Sequence, residues 1–203
     1  WCSKYNIHLL DADTNKGILY LEHHPQDLHN YIITNNKIIG LAKTRPAYIN
    51  ETMKIFNKLL IPLNECHQNN IVHGDIKPEN ILISREQEPI LIDFGQSVDM
   101  SIPDSKYVTM GTEGFMPPEL NKNIYGPFTD IYSLGITLYI SLLCKKPFIL
   151  ECGNIDFDFN DNQEDLPYKI TNMIVDMTDP YYENRPTVGM LLEDYSLDEY
   201  DLK

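Results

Sequence analysis

The densest polar chemistry in the sequence lies in IVHGDIKPENILI, residues 71–83, between two apolar runs. An acid, Asp75, is followed by a base, Lys77, and by an amide, Asn80, and a second acid, Asp93, follows the next apolar run. Phosphoryl transfer needs groups that position the reactants and neutralise charge. Magnesium prefers oxygen ligands of the kind that Asn80 and Asp93 carry. These residue types are therefore compatible with metal-assisted phosphoryl transfer.

The apolar runs beside these residues predict short strands, and much of the remaining chain predicts helices, so the fold class is α+β and mainly helical. NIHLL and GILYLE predict two strands joined by the turn DADTNK. A short helix is expected to begin near Asp27. Residues 48–67 predict a long helix that Pro62 kinks or ends early.

The second half of the chain alternates loop and helix signals. Residues 97–118 are rich in glycine, proline and serine without a sustained period, which predicts a long surface loop. DIYSLGITLYISLL is apolar on nearly all sides and predicts a central buried helix. The acidic segment ECGNIDFDFNDNQEDLP predicts a loop, and residues 168–192 predict two helices broken at DPYYENRP.

Length and composition restrict the class of protein. A chain of 203 residues with 42% hydrophobic residues is long enough for one sizeable core. The net charge of −14 disfavours nucleic acid and anionic membranes as partners. No run approaches the roughly 18 apolar residues needed to span a bilayer. The four cysteines lack CxxC spacing and predict reduced thiols of an intracellular protein, cytoplasmic or nuclear.

Five separated motifs, in one order, resemble the large C-terminal lobe of a eukaryotic-type protein kinase from residue 6 to about 192. HGDIKPEN resembles the catalytic loop, DFG the metal-binding turn and GTEGFMPPE the end of the activation segment. DIYSLG resembles the start of the central helix, and NRP contains the late arginine. The lysine in D-x-K-P-E-N is typical of serine/threonine kinases. The resemblance divides the chain into residues 1–22 as two strands of a small lobe, residues 23–28 as hinge and start of the next helix, and residues 29–203 as the large lobe.

The resemblance implies a chemical role for each polar residue of the loop. Asp75 would accept or orient the proton of the substrate hydroxyl, and Lys77 would offset charge on the transferred phosphoryl group. Asn80 and Asp93 would bind Mg²⁺, with Asp93 bridging the metal to the phosphates of ATP. The hydroxyl of Thr112 would bond to both Asp75 and Lys77. ATP and Mg²⁺ are thus the implied cofactors.

Other positions resemble structural residues of the family. Asp130 would anchor the backbone of the catalytic loop from below, although a simple helix N-cap would also explain this residue. Glu119 and Arg185 would form a buried ion pair between the activation segment and the late helices. Phe94 and Gly95 would complete the metal-binding turn that begins at Asp93. His73 would pack under this turn.

The segment ILYLEHHPQDL resembles the last strand of the small lobe, the hinge and the start of the next helix, most like the cyclin-dependent group. On this match Leu21 is the gatekeeper, and Leu82 is the floor beneath the adenine. Backbone groups of Glu22 and His24 would face the adenine ring. These four residues, with Asp93, make up the implied nucleotide site.

The chain departs from the family at Gly74, where most members have arginine, so the loop reads H-G-D. That arginine normally pairs with a phosphorylated residue of the activation segment, so the resemblance implies activity without this switch. Aminoglycoside phosphotransferases also carry H-G-D, which leaves a small-molecule phosphotransferase as an alternative. They do not have the PPE and late-arginine features of this sequence.

A second departure is that residues 1–203 contain no G-x-G-x-x-G and no V-A-I-K strand before the hinge, and LAK at 41–43 follows it. The chain begins at Trp1, which suggests a piece of something longer. Two interpretations remain: an active serine/threonine kinase whose small lobe lies upstream, or a non-catalytic lobe mimic that binds or inhibits other kinases. The intact acid, base and metal ligands favour the first.

The expected partner of an active enzyme is a protein with an accessible serine or threonine. The acidic balance of the chain, with Asp27 after the hinge and Glu79 in the catalytic loop, favours basic residues near the acceptor.

Overall fold

Helices dominate the computed structural model, which describes residues 9–14, 16, 18–42, 45–102, 111–149, 155–159 and 166–194. The predicted α+β, mainly helical fold is confirmed. The helices of the described residues are α1 (Leu28–Ala42), α2 (Arg45–Gln68), α3 (Pro127–Leu143), α4 (Tyr168–Met177) and α5 (Val188–Asp194). The strands are β1 (Leu9–Asp13), β2 (Ile18–Leu21), β3 (Gln26–Asp27), β4 (Ile71–Val72), β5 (Ile81–Ile83), β6 (Pro89–Leu91), β7 (Val98–Asp99), β8 (Phe148–Ile149) and β9 (Ile155–Asp156).

The predicted N-terminal hairpin is present, since β1 and β2 pair in antiparallel register from Leu9↔Leu21 to Asp13↔Ile18. Strand β1 includes residues 11–13, which the sequence places in the turn. The reason is that backbone pairing to β2, rather than apolar content, sets the length of this exposed strand. The first residues of NIHLL lie outside the described part of the chain.

Helix α1 begins where the sequence predicts, but with 15 residues it is longer than the short helix expected there. The Oδ1 atom of Asp27 accepts a hydrogen bond from the backbone N–H of Asn30 at 2.7 Å, which is the contact of an N-cap residue. The side-chain amide of Asn30 donates to Oδ2 of Asp27 at 2.9 Å. Leu28 and Tyr31 then face the core from the first turn.

Helix α2 supplies the largest share of the core in the first half of the chain. Its predicted apolar face is buried, and it packs against α3, α5 and β6. Of the two predicted effects of Pro62, a kink or an early end, the early end is wrong, since the helix continues to Gln68. A proline removes one backbone hydrogen bond and costs about 3 kcal/mol. Burial of the neighbouring leucines offsets this cost. The buried residues of this face are Ile49, Met53, Phe56, Leu59, Leu60 and Leu63.

Helix α3 is the central buried helix that its apolar sequence predicts, with every residue from 129 to 139 buried. Gly135 allows α4 to approach it closely. A Cβ atom on Gly135 would lie 2.7 Å from Cγ2 of Thr178 and 3.0 Å from Cβ of Met177. The two helices broken at DPYYENRP are α4 and α5, as predicted, with a 3₁₀ turn at Tyr182–Asn184 between them.

Small sheets flank the loop that contains HGDIKPEN and the turn that contains DFG. Strand β5 lies between β3 and β6 in a three-stranded antiparallel sheet, and β4 pairs with β7. Strand β7 lies within residues 97–118, so the prediction of an unbroken loop there is wrong at its start. Val98 is buried against Val72 of β4, and that contact is what orders this stretch.

The segment after α3 also differs from its prediction as a loop. Strand β8 pairs with β9, with Phe148 opposite Asp156 and Ile149 opposite Ile155. Phe157 and Phe159 pack against Tyr139 of α3, at ring distances of 4.9 and 5.7 Å. The acidic composition of this stretch predicts a loop, but its two phenylalanines pack against the core and order it.

Two predictions from composition can be compared with the described residues. No helix among them has the length and apolarity needed to cross a membrane. Of the two cysteines that the structure describes, Cys66 and Cys144, neither forms a disulfide. Cys66 is buried, and burial, with the charges of Asp130 and Glu65, raises the pKa of its thiol to about 11.

Candidate active site

The residues with predicted chemistry lie in the loop between β4 and β5. The strand Ile71–Val72 ends just before His73, and the 3₁₀ turn Pro78–Asn80 leads directly into β5. Proline at the first position of this turn suits its backbone, which has no intrahelical partner for the N–H group there. The loop is therefore fixed at both ends by strands that pair with other strands.

Three side chains of the predicted catalytic set meet in one hydrogen-bonded group. The Thr112 hydroxyl donates to Oδ1 of Asp75 at 2.6 Å, and the ammonium group of Lys77 donates to Oγ1 of Thr112 at 2.7 Å. Lys77 also lies 2.8 Å from Oδ2 of Asp75. Asp75 is 2% exposed, so this carboxylate is both buried and paired with a cation.

Asn80 completes the surroundings of Asp75. Its Nδ2 atom donates to the backbone carbonyl and to Oδ2 of Asp75, both at 2.9 Å. Because both of these bonds use Nδ2, the Oδ1 atom is the group through which Asn80 would bind a cation.

The ionisation of Asp75 follows from these contacts. Burial opposes the charged form, but hydrogen bonds from Lys77, Thr112 and Asn80, together with the charge of Lys77, outweigh it. The net result is that the pKa of Asp75 lies below its usual value. The carboxylate is thus ionised and able to accept a hydrogen bond from a substrate hydroxyl near neutral pH.

Asp93 lies beside Asn80, because the N–H of the preceding residue, Ile92, donates to the Asn80 carbonyl at 3.0 Å. Asp93 has a left-handed backbone (φ 61°) and an exposed carboxylate that caps the 3₁₀ turn by accepting from the N–H of Gly95 at 3.3 Å. The ring of Phe94 contacts that of His73 at 4.7 Å, so His73 packs against this turn as the resemblance implies.

The donors at Asn80 and Asp93 fit magnesium by their chemistry. Among the described residues no cluster of three or more His, Cys, Asp or Glu side chains could hold a metal ion by itself. Magnesium typically uses one or two protein oxygens and completes its shell with water and phosphate oxygens. The exposed carboxylate of Asp93 and the side-chain oxygen of Asn80 are donors of this kind.

Asp130 of α3 holds the catalytic loop from below. Its Oδ1 accepts from the backbone N–H of Gly74 at 2.8 Å, and its Oδ2 accepts from the N–H of His73 at 2.9 Å. The side chain is fully buried, and Gly126, not Asp130, is the N-cap of α3. His67 of α2 also lies 2.8 Å from Oδ2 through its Nε2 atom.

Glu119 and Arg185 form a buried, two-pronged ion pair. Nη1 and Nη2 of Arg185 lie 2.6 and 2.8 Å from Oε1 and Oε2 of Glu119. Arg185 also donates to the backbone carbonyls of Asp179 at 2.8 Å and Phe128 at 3.0 Å. Its guanidinium lies 4.8 Å from the ring centre of Tyr132. This single arginine links the end of the activation segment to α3 and to the loop before α5.

The residues expected around the adenine lie at the junction of the hairpin and β3. Leu21 ends β2 and is 45% exposed, and Glu22 and His24 follow it in the connecting stretch. The Nε2 atom of His24 lies 3.8 Å from Oε2 of Glu22. Leu82 is in the middle strand β5, opposite Asp27 of β3, so it lies directly beside this stretch.

Two residues of the site, His67 and Gln96, are not predicted by the sequence motifs. His67 contacts Asp130 across 63 positions, and no spacing rule connects them. Gln96 accepts a hydrogen bond from the N–H of Gly111 at 2.7 Å. The only cue for Gln96 is its place directly after DFG. Both contacts depend on the packing of elements that are distant in the chain.

Comparison with known proteins agrees with the site geometry. The family model described as protein kinase domain matches residues 6–195. This chain belongs to the protein kinase family. The match covers the catalytic loop, the DFG turn and the ion pair between Glu119 and Arg185.

Several curated kinases are similar to this family member in sequence. Calcium-dependent protein kinase 21 of Oryza sativa subsp. japonica is 35% identical over 156 residues, which cover 68% of this chain and 27% of that protein. The carbon catabolite-derepressing protein kinase of Candida glabrata is 30% identical over 146 residues, 70% of this chain and 22% of that protein. Probable serine/threonine-protein kinase fhkB of Dictyostelium discoideum is 34% identical over 137 residues, 63% of this chain and 12% of that protein. The aligned parts thus span about a quarter or less of these relatives.

Proposed function

We propose that the full-length protein transfers the γ-phosphoryl group of ATP to a serine or threonine hydroxyl of a protein substrate. The observation that carries this proposal is the hydrogen-bonded group of Asp75, Lys77 and Thr112. Asp75 is an ionised acceptor for the proton of the attacking hydroxyl. Lys77 is a cation beside it that offsets charge on the phosphoryl group in transfer.

The nucleotide requires residues on both sides of this group. Asn80 and Asp93 would hold the magnesium ion, which would supply positive charge to the phosphates of ATP. Leu21 and Leu82 would line the adenine site, and backbone groups of Glu22 and His24 would face the adenine. Family membership supports these assignments, because protein kinases generally use ATP and Mg²⁺.

The acceptor is a protein hydroxyl with basic residues nearby. Glu79 is half-exposed at the mouth of the catalytic loop, 3.8 Å from Nδ1 of His29, and is open to a substrate cation. Asp27, the other acidic residue expected here, uses both carboxylate oxygens to cap α1 through Asn30. Glu79 is therefore the main acidic contact of the proposal.

Two alternatives are decided by the same assay. A lobe mimic that only binds other kinases would transfer no phosphate, and a small-molecule phosphotransferase would label an aminoglycoside rather than a protein. The ionised, paired state of Asp75 favours catalysis over mimicry, because a binding surface has no need for a buried carboxylate (2% exposed) paired with a lysine.

The test is transfer of label from γ-labelled Mg-ATP by the full-length protein to a generic basic protein, followed by acid hydrolysis and phosphoamino-acid analysis. We expect label on serine and threonine. Label confined to tyrosine, label on an aminoglycoside alone, or no transfer at all would overturn the proposed function. Glu79→Gln should weaken labelling of a basic peptide more than labelling of a neutral one.

A further inference from the structure

Gln96 joins two parts of the activation segment that are distant in sequence. Its Oε1 atom accepts a hydrogen bond from the backbone N–H of Gly111 at 2.7 Å. Gly111 directly precedes Thr112, whose hydroxyl donates to Asp75 and accepts from Lys77. One side chain therefore connects the stretch after DFG to the residue that contacts both the acid and the base.

The backbone at Gln96 is fixed on both sides. Gln96 ends the 3₁₀ turn Phe94–Gln96, and Ser97 donates to the Phe94 carbonyl through its N–H at 3.0 Å and its hydroxyl at 2.7 Å. The next residue, Val98, pairs with Val72 of β4 and is buried. The Gln96 side chain thus projects from a rigid base.

The hydrogen bond from Gln96 fixes the backbone at Gly111. Its φ of +84° is a conformation that favours glycine, and a Cβ atom there would lie 2.6 Å from Cγ of Met116. The same position would be 3.7 Å from the carbonyl oxygen of Gly74, so Gly111 passes close to the catalytic loop. A bond to its N–H sets how the following residue approaches Asp75.

We propose that Gln96 is a positioning residue that holds Thr112 against Asp75 and Lys77 through its bond to Gly111. This inference rests on the proposed function, since it assigns Gln96 a part in the same phosphoryl transfer. In this role Gln96 affects the rate of phosphoryl transfer through Gly111 and Thr112. It does not contact ATP. Loss of its acceptor atom should therefore lower kcat and leave KM for ATP unchanged.

The experiment compares Gln96→Met with Gln96→Glu in the full-length protein. Methionine has a similar length and no oxygen acceptor, whereas glutamate keeps an acceptor at the same reach. Removal of one neutral hydrogen bond predicts a kcat lower by roughly three- to tenfold for Gln96→Met. Gln96→Glu should keep most of the wild-type kcat. Equal losses in the two variants, or no loss in Gln96→Met, would overturn the proposal.

Hydrogen exchange of the Gly111 amide gives a second readout that needs no activity. The amide should exchange faster in Gln96→Met than in wild type, and at the wild-type rate in Gln96→Glu. A lower kcat without faster exchange at Gly111 would refute the positioning role. Faster exchange in a protein whose wild type transfers no phosphate would support the link to Gly111 and show that the proposed function itself is wrong.

Discussion

At the scale of single residues, Asp75 is a buried carboxylate that its hydrogen-bond partners keep ionised. Burial alone would favour its neutral form, but three donors and one cation keep it ionised. The family resemblance predicts the bonds of Thr112 to Asp75 and Lys77. It cannot predict that Asn80 donates to Asp75 through Nδ2, because that depends on the path of the loop in space.

The lowered pKa of Asp75 predicts how its charge contributes to stability. Because the folded-state pKa lies below the unfolded value of about 3.9, the contribution is complete above pH 4 to 5 and is lost as the pH falls through the folded pKa. The difference in free energy of unfolding between wild type and Asp75→Asn should be constant from pH 5 to 7 and change only in more acidic solution, as measured by urea unfolding. A change between pH 7 and 6 would mean that the pKa is raised instead.

At the scale of elements, the site depends on contacts between segments that are far apart in the chain. The helical period of α2 predicts its buried face, and the apolar sequence of α3 predicts a helix that is buried on nearly all sides, since both patterns are local. Strands β7 and β9 are two residues each, and their pairing with β4 and β8 leaves no periodic signal. The continuation of α2 past Pro62 likewise depends on packing rather than on propensity.

Removal of Arg185 from its ion pair with Glu119 is expected to lower the stability of the protein strongly. Arg185→Ala would leave a carboxylate buried without its partner, which costs about 3–5 kcal/mol of unfolding free energy. Thermal and denaturant unfolding of the full-length protein would measure this. Arg85→Ala, at an exposed position before β6, is the matched control and should change stability by about 0.5 kcal/mol or less. Similar values for the two variants would show that the pair contributes little.

The activation segment should function without phosphorylation. Gly74 offers no cationic side chain to a phosphate, and its N–H is already bonded to Asp130. The hydroxyls of Ser97 and Ser101 are used in local hydrogen bonds to the Phe94 carbonyl and to Asp99. Phosphatase treatment of the purified protein should leave its transfer rate within about twofold. A loss of about tenfold or more would show that another basic group receives a phosphate. The other candidate hydroxyls, Ser105, Tyr107 and Thr109, lie outside the described residues.

At the scale of the whole molecule, residues 1–203 carry the proposed acid, base and metal ligands, and their sequence contains no G-x-G-x-x-G motif. The hairpin of β1 and β2 exposes Leu10, Ile18, Tyr20 and Leu21 beside the proposed adenine contacts. An exposed, apolar two-stranded ribbon is a surface on which further chain can pack. We therefore expect a polypeptide limited to residues 1–203 to bind ATP poorly.

The change in Tm on addition of Mg-ATP tests this expectation. A ligand that binds only the folded state raises stability by RT ln(1 + [L]/Kd), so saturating Mg-ATP should raise the Tm of the full-length protein. The same concentration should barely change the Tm of a polypeptide limited to residues 1–203. Equal shifts for the two polypeptides would show that the large lobe binds ATP by itself.

The central claim, that this site transfers phosphate through Asp75, is tested most directly by the transfer rate of Asp75→Asn in the full-length protein. Asparagine keeps the size and removes the proton acceptor, so the rate with Mg-ATP and a basic protein substrate should fall by about a hundredfold or more while circular dichroism stays unchanged. Asp176→Asn, at an exposed position of α4, is the control and should transfer at the wild-type rate. Transfer by Asp75→Asn at the wild-type rate would contradict the account.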